Sequence, residues 1–304
     1  MTPNTLQIDG SGKDGMLVTW EPGQLPVDMA QQAFTAVNAA NLLPKSSTKP
    51  AALRTAFSAL IEALNIKVRG MPINITPLRE DLIGFEAVRV QKGQVENEHE
   101  FVMSVVLEED SSGNAQVKIA KFDHSIAGPV AVMQDQFEER LTRVYLEELN
   151  FYPVGMISSA LQRLIMHLGG ISLRKAGGAY FLPSSAMSTF ETVADSLEAS
   201  QGKLRINTVT FPLRPTERSY RWVLESLDKE VNESLAEIEE ELKDLGGSKQ
   251  RTNGKETRLE HAASIDQKIS SYESLLNVTL THLHDAVNKV KCAVEAHNLM
   301  EVCS

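Results

Sequence analysis

Cysteine is scarce in this sequence of 304 residues, with only Cys292 and Cys303 present. Secreted domains held together by disulfides carry far more cysteine, so the composition excludes a disulfide-stapled scaffold. A reducing compartment is then the default, and we predict a cytoplasmic protein. We expect Cys292 to be a small buried apolar residue, whereas Cys303 has no evident activating neighbour.

Long apolar runs are also missing. No stretch reaches the ~18 consecutive apolar residues of a transmembrane helix. The first residues lack the basic region and apolar run that mark a signal peptide. We therefore expect a protein that neither spans a membrane nor is secreted.

Positive charge is in deficit, with 30 lysines and arginines against 40 aspartates and glutamates and a net charge of −10. This balance argues against a general polyanion binder, although a local basic patch can still bind nucleic acid. Much of the excess is local, because Glu217 to Asp244 contains ten acidic and four basic residues. A helix of that charge can contribute contact and specificity toward a partner.

The sequence contains no recognisable motif for catalysis or metal binding. Asp123 and His124 form a possible acid–base pair in a loop, but sequence neighbours rarely face one another and no nucleophile is tied to them. The cluster of Glu96, Glu98, His99 and Glu100 lacks the helical His-x-x-x-His spacing of zinc peptidases and predicts a solvated turn.

The histidines near the C-terminus do not predict a metal site either. His282 and His284 are two apart on a predicted helix, so they cannot share a face. Together with His261, His297 and Cys292 they do not form a four-ligand set. We expect no cofactor and no metal, and we leave an enzyme with a site assembled from distant residues as an alternative.

The first 130 residues predict an α+β domain. A hairpin is expected at residues 6–20, where Leu6–Ile8 would pair with Met16–Trp20 across a glycine-rich turn. The spacing of apolar residues predicts helices at Val27–Leu43 and Ala51–Asn65. Three β-rich runs then predict an antiparallel meander, with strands at Phe85–Gln91, Glu100–Leu107 and Ala115–Phe122.

Residues 131–215 predict a second α+β module with the element order α-α-β-β-α-β. This order resembles a winged helix, with two helices followed by a hairpin that turns at Lys175–Gly178. Tyr180 and Phe181 should point to opposite faces of their strand, one into the core and the other exposed. The charged residues expected on the solvent side of the first helix are Glu138, Glu139, Arg140 and Glu147.

Basic residues give this module a possible role in nucleic-acid binding. Arg163 and His167 lie on its second predicted helix, and Arg174 and Lys175 lie at the hairpin, where cations can hold phosphates. A second basic spot lies in the loop between the last helices. It consists of Lys249, Arg251, Lys255 and Arg258, and a solubilising loop explains it as well.

Residues 216–304 predict a long antiparallel helical hairpin resembling a coiled coil. Apolar residues recur at spacings of three and four on both helices, from Leu224 to Leu245 on the first with one break at Asp228 and from Ile265 to Ala293 on the second. The glycine-rich joint Gly246–Gly254 predicts a reversal. The second helix is longer, so its end should return to the body. We predict that this seam binds a partner through Leu224, Val231, Leu235, Ile238, Leu242, Ile265, Ile269 and Leu276.

These observations predict an α+β body, formed by the meander with short helices and then the α-α-β-β-α-β module, followed by the helical hairpin. The leading hypothesis is a non-catalytic interaction or assembly protein that uses the hairpin for association with itself or with a protein partner. Nucleic-acid binding through residues 131–183 and the basic loop is the alternative. The sequence leaves open the partner, the oligomeric state and whether the hairpin closes within one chain.

Overall fold

The computed structural model describes residues 14–21, 23–63, 73–78, 83–91, 98–123, 134–174, 178–199, 204–214, 217–244 and 253–302. The fold is α+β, with antiparallel sheets and C-terminal helices that pack together, as predicted. Contacts group the chain into two compact units. Unit 1 contains residues 1–22, 33–42 and 158–304, and unit 2 contains residues 23–32 and 43–157. These limits differ from the predicted boundaries at residues 130 and 215.

The helices are α1 (Val27–Ala36), α2 (Lys49–Ala63), α3 (Gln134–Asn150), α4 (Val154–His167), α5 (Met187–Glu198), α6 (Arg218–Asp244), α7 (Asn253–Leu276) and α8 (Thr281–Val302). The strands are β1 (Gly15–Glu21), β2 (Leu25–Pro26), β3 (Ile73–Pro77), β4 (Gly84–Gln91), β5 (Glu98–Glu109), β6 (Ala115–Phe122), β7 (Phe151–Tyr152), β8 (Ile171–Ser172), β9 (Tyr180–Pro183) and β10 (Arg205–Phe211). Short 3-10 turns occur at Ala40–Leu42 and Ser184–Ala186.

Unit 2 is built on the predicted meander. Its sheet has the order β3-β4-β5-β6, so β3 extends the three predicted strands by one. Alternating apolar residues of the sheet pack against α2 and α3 in one core, where Phe57 and Leu141 are fully buried. β5 begins at Glu98, so Glu98 and His99 belong to the strand and the prediction of a turn there is wrong.

Helix α3 covers the outer edge of β6 with polar side chains. Thr142 Oγ accepts a hydrogen bond from Val117 N–H at 2.9 Å, and Glu138 Oε1 accepts one from Ile119 N–H at 3.0 Å. Glu138 also receives Lys118 Nζ at 2.9 Å and Gln134 Nε2 at 3.1 Å. The predicted solvent exposure of Glu138 is therefore wrong, because the side chain replaces the hydrogen bonds that a neighbouring strand would make.

Burial alone would raise the pKa of Glu138, yet the hydrogen bonds from Ile119, Gln134 and Lys118 more than offset it and lower that pKa. The ionised carboxylate is the form that accepts all these bonds. Its contribution to stability is present above the unfolded pKa and is lost as the pH falls through the lowered folded pKa.

Unit 1 contains a sheet with the order β10-β1-β9-β8. β1 pairs with β10 along its whole length and with β9 from Gly15 to Val18. The predicted order α-α-β-β-α-β is found along the chain, with β8 and β9 forming the hairpin. Within the described residues, β1 lies between that hairpin and β10 and joins them in one sheet. The other half of the predicted N-terminal hairpin, Leu6–Ile8, lies outside the described residues.

Both aromatic residues of β9 are buried, so the prediction that one of them is exposed is wrong. Phe181 is fully buried and faces the rings of Phe211 and Tyr272. Tyr180, on the opposite face of the strand, is 2% exposed and stacks on Trp20 with ring centroids 5.0 Å apart. Both rings are buried because side chains cover both faces of the sheet at β9, Trp20 on one face and Phe211 and Tyr272 on the other.

We predict that Glu138→Ala lowers the free energy of unfolding by about 2 kcal/mol at neutral pH, because Ile119 N–H and Lys118 lose their acceptor. Urea unfolding measures this effect, and amide exchange at Ile119 should become faster. The neighbouring Glu139→Ala is the control, since Glu139 is exposed and should change stability by less than ~0.5 kcal/mol.

The stability difference between Glu138→Ala and the natural protein should shrink as the pH falls below 4.5, the ordinary pKa of a glutamate. Equal stability of the natural protein and Glu138→Ala at neutral pH would contradict the role assigned to this carboxylate.

Candidate functional site: the C-terminal helices

The second helix predicted near the C-terminus is broken into α7 and α8, so the prediction of one continuous helix is wrong. α7 ends at Leu276, and Asn277 follows with φ of 54° in the left-handed region. Asparagine tolerates this conformation and commonly ends helices. Glu273 then accepts a hydrogen bond from Leu280 N–H, which satisfies a backbone group just before α8 begins.

The three helices form an antiparallel bundle. Between α6 and α7, Arg258 Nε lies 3.1 Å from Glu241, Lys268 pairs with Glu230, and Tyr220 donates to Leu276 O at 3.3 Å. Residue numbers thus fall on one helix as they rise on the other. α8 reverses again and lies against both helices, with Lys291 Nζ 2.9 Å from Asp266 of α7.

The predicted seam is the core of this bundle. Six of its residues are buried: Val231, Leu235, Ile238, Ile265, Ile269 and Leu276. Leu224 and Leu242 are partly buried against the same cluster. The seam therefore faces the chain's own helices, and a partner could contact it only by displacing one of them. In the described residues the hairpin closes within one chain.

The bundle is attached to the rest of unit 1 through contacts with the backbone segment Gly169–Leu173. Four contacts fix this segment: Tyr272 OH donates to Gly169 O at 3.0 Å, Lys268 Nζ to Gly170 O at 2.7 Å, and Trp222 Nε1 to Leu173 O at 3.0 Å, while Glu230 accepts from Ser172 N–H at 3.3 Å. One apolar cluster continues from β8 and β9 into the three helices. α6 and α7 are therefore part of unit 1 and not a detached arm.

The basic residues predicted to bind nucleic acid have different surroundings. Arg163 is exposed and its Nε donates to Ser159 O on the same helix, and Arg174 is also exposed. Arg258 Nε donates a hydrogen bond to Glu241 Oε2. Lys255 is in the first turn of α7, whereas Lys175, Lys249 and Arg251 lie outside the described residues. Nucleic-acid binding stays a prediction.

Among the candidate ligands, Cys292 is exposed, so the prediction of its burial is wrong. It lies on α8 between the buried Val290 and Val294, but on the solvent side of the helix. Asp123 continues the pairing of β6, since its N–H donates to Val102 O at 2.9 Å, while His124 lies outside the described residues. Within the described residues, no group of three His, Cys, Asp or Glu side chains is arranged to hold a metal ion.

The two histidines that begin α8 have separate partners, as their spacing predicts. His282 Nε2 lies 3.0 Å from Asp228 of α6. His284 lies between two carboxylates of α7, with Nδ1 2.7 Å from Asp266 and Nε2 3.2 Å from Glu273. A ring flanked on both nitrogens by carboxylates is satisfied only when both nitrogens carry protons.

The charges around His284 favour its cationic form. The hydrogen bond to Asp266 is the main cause that raises the pKa of His284, and Glu273 adds to it. In return, Lys291 and His284 lower the pKa of Asp266, and the hydrogen bond from Leu280 N–H lowers that of Glu273. Because both ring nitrogens are occupied, His284 is a structural link between α7 and α8, not a general base.

The solvent face of α6 is acidic. Its exposed carboxylates are Glu225, Glu233, Glu237, Glu240 and Glu241. Glu233 Oε1 lies 3.7 Å from Lys229 Nζ of the preceding turn, a pair that contributes little because both side chains are exposed. Glu233, Glu237 and Glu240 share one face by their spacing, with the exposed Ala236 among them.

A polar cavity of about 710 Å³ lies in unit 1 between the end of α4, the 3-10 turn that precedes α5, and α7. Hydroxyl, amide and imidazole groups predominate, including Ser184, Ser264, Gln267, Ser271 and His167. Its one ammonium, on Lys268, is already paired with Glu230. No local sequence pattern marks this cavity, because its residues come from separate elements.

A family of unknown function, DUF6744, matches the chain over residues 15–301. The chain belongs to this family. The DUF6744 match covers the described sheets and helices of both units. No curated protein and no solved structure matches the chain. None of the helices that the structure describes combines the length and apolar character needed to cross a membrane.

For this DUF6744 protein we predict a pH-dependent stability linked to His284. Its raised pKa means that the stabilisation is fully present below the ordinary value of 6.5 and is lost as the pH rises through the folded pKa. His284→Gln should therefore lower the melting temperature by about 2 °C or more near pH 6, and by less at alkaline pH.

Thermal unfolding across this pH range provides the measurement. His261→Gln, an equivalent change at an exposed position of α7, is the control and should leave the melting temperature nearly constant. An effect of His284→Gln that grows with pH would contradict the assigned geometry.

Proposed function

We propose that this protein is a non-catalytic interaction or assembly protein, and that its C-terminal bundle presents the acidic face of α6 to a cationic protein partner. The observation that carries the proposal is the position of Glu233, Glu237 and Glu240 on one exposed helix face. Such a surface attracts a positively charged partner and disfavours negatively charged ones.

The apolar seam has a supporting role in this proposal. Because Val231, Ile238 and Ile269 are buried in one cluster of the bundle, they hold α6 against the other helices and fix its orientation within unit 1. The pair between Lys268 and Glu230 adds a polar contact near the middle of the same helix. A partner then meets a preformed charged surface, which reduces the entropy lost on binding.

The proposal predicts that a photo-crosslinking amino acid at Ala236 captures a protein partner in cells, whereas one at Ser188 on the exposed side of α5 does not. The captured protein should carry a basic surface, because charge complementarity is the basis of the contact. Mass spectrometry identifies the adduct, and light scattering on the purified protein shows whether a second copy takes this place.

Charge reversal supplies the decisive comparison. Glu237→Lys with Glu240→Lys should abolish the adduct at Ala236, because two attractive charges become repulsive. Glu191→Lys with Asp195→Lys on α5 changes the net charge equally and should leave the adduct intact. No adduct at Ala236, or equal loss with both double variants, would refute the proposal.

A further inference from the structure

Strand β10 is one of the two edge strands of the unit 1 sheet within the described part of the chain. Its inner side pairs with β1, in a register that places Val209 opposite Leu17 and Phe211 opposite Gly15. An outermost strand presents backbone N–H and C=O groups on its outer side, which another extended segment can pair with.

The register and one side-chain contact identify which residues of β10 face outward. Ile206 N–H donates to Glu198 Oε1 at 2.7 Å, so it points away from β1. Since the backbone groups of successive residues in a strand point to opposite sides, Thr208 and Thr210 share the direction of Ile206. Val209 and Phe211 direct theirs toward β1.

Both ends of this outer edge are closed. At the start, Glu198 occupies Ile206 N–H. At the end, Pro212 has no N–H, and its carbonyl accepts Ser219 Oγ at 2.6 Å. Among the described residues no strand pairs with the stretch between them, Thr208 to Thr210, which forms a short open window. It has the threonine and valine composition typical of strands and lacks the charged residues or prolines that usually block an edge.

Apolar side chains lie beside this window. Val209 is 60% exposed, the most exposed large apolar residue of the described chain. Phe211, on the same face two residues later, contacts the ring of Trp222 with centroids 6.2 Å apart, and Trp222 is itself 37% exposed. A strand added at the window would place side chains against Val209, and this packing stabilises paired strands.

Residues 204–222, which include β10, carry a net positive charge, whereas the chain as a whole is negative. Between residues 204 and 222 the only acidic residue is Glu217, and it lies 3.9 Å from Arg214. The arginines there are all exposed: Arg205, Arg214, Arg218 and Arg221. A second copy would bring the same arginines together and be repelled, whereas an acidic segment would be attracted.

We propose that the outer edge of β10 binds an extended acidic segment of a partner protein by strand addition over Thr208–Thr210, with Val209 and Trp222 as apolar contacts. This surface is independent of the acidic face of α6. The β10 edge would bind an acidic partner, whereas the α6 face would bind a cationic one. The two proposals are tested by different probes, so the failure of one leaves the other standing.

The test uses the full chain and a fluorescein-labelled decapeptide in which glutamates alternate with valines and threonines. Fluorescence anisotropy should show binding of this probe, and a peptide with lysine in place of glutamate should not bind. Thr210→Pro removes an outward N–H and should weaken binding by about tenfold. Arg218→Glu should weaken it as well, whereas Glu191→Lys on α5 should leave it unchanged.

Hydrogen exchange on the natural protein provides a second readout that does not depend on the proline variant folding. On peptide binding, the amides of Thr208 and Thr210 should become protected, while that of Val209, which faces β1, should change little. Protection of both amides before peptide is added would overturn the proposal. Light scattering would then assign the edge to a second copy if the protein is dimeric, or to its own chain if monomeric.

Two further results would overturn it. One is the absence of probe binding at millimolar concentration. The other is binding that Arg218→Glu abolishes while Thr208 and Thr210 exchange as before, which indicates charge attraction without strand addition.

Discussion

Backbone N–H groups at the outer edges of a β-sheet need hydrogen-bond partners, and here a glutamate carried by a helix supplies one on each of the edge strands β6, β8 and β10. Glu138 of α3 accepts from Ile119 N–H of β6, and Glu230 of α6 accepts from Ser172 N–H of β8. A third, Glu198 at the end of α5, accepts from Ile206 N–H of β10. A carboxylate in this position satisfies the strand and fixes the helix beside it, because an unpaired buried N–H is costly.

This constraint also explains how the C-terminal helices are attached. Glu230 receives Lys268 Nζ in addition to Ser172 N–H, so one carboxylate joins α6, α7 and β8. Tyr272 and Trp222 extend the attachment along the same backbone segment. The apolar cluster beneath is continuous from the sheet into the bundle. The acidic face of α6 is thus displayed from a fixed support, as the proposed binding role requires.

The spacing of apolar residues predicts an element well where that element buries only one of its faces. The meander, the order of elements after residue 131 and the apolar seams were predicted, since each depends on apolar residues recurring at a strand or helix period. The edge glutamates were missed because Glu138 has the spacing of a solvent-facing helical residue. Its burial depends on β6, about 20 residues away, which local pattern cannot register.

The reversal at Asn277 was missed for a related reason. The turn contains neither glycine nor proline, and the apolar spacing continues through it, from Leu276 to Leu283 and Val287. The predicted seam residues were placed correctly in an apolar interface, yet the interface proved to be internal. Periodicity shows which face is buried, but not whether the covering helix belongs to the same chain. The cavity beside α7 and the outer edge of β10 required the tertiary structure.

Amide hydrogen exchange of the natural protein tests the central claim most directly, because it reports on all three capped edges in one measurement. If helix glutamates hold these edge N–H groups, the amides of Ile119, Ser172 and Ile206 should exchange slowly, like those inside the sheets. Exchange of these three amides at the rate of exposed backbone would contradict the account.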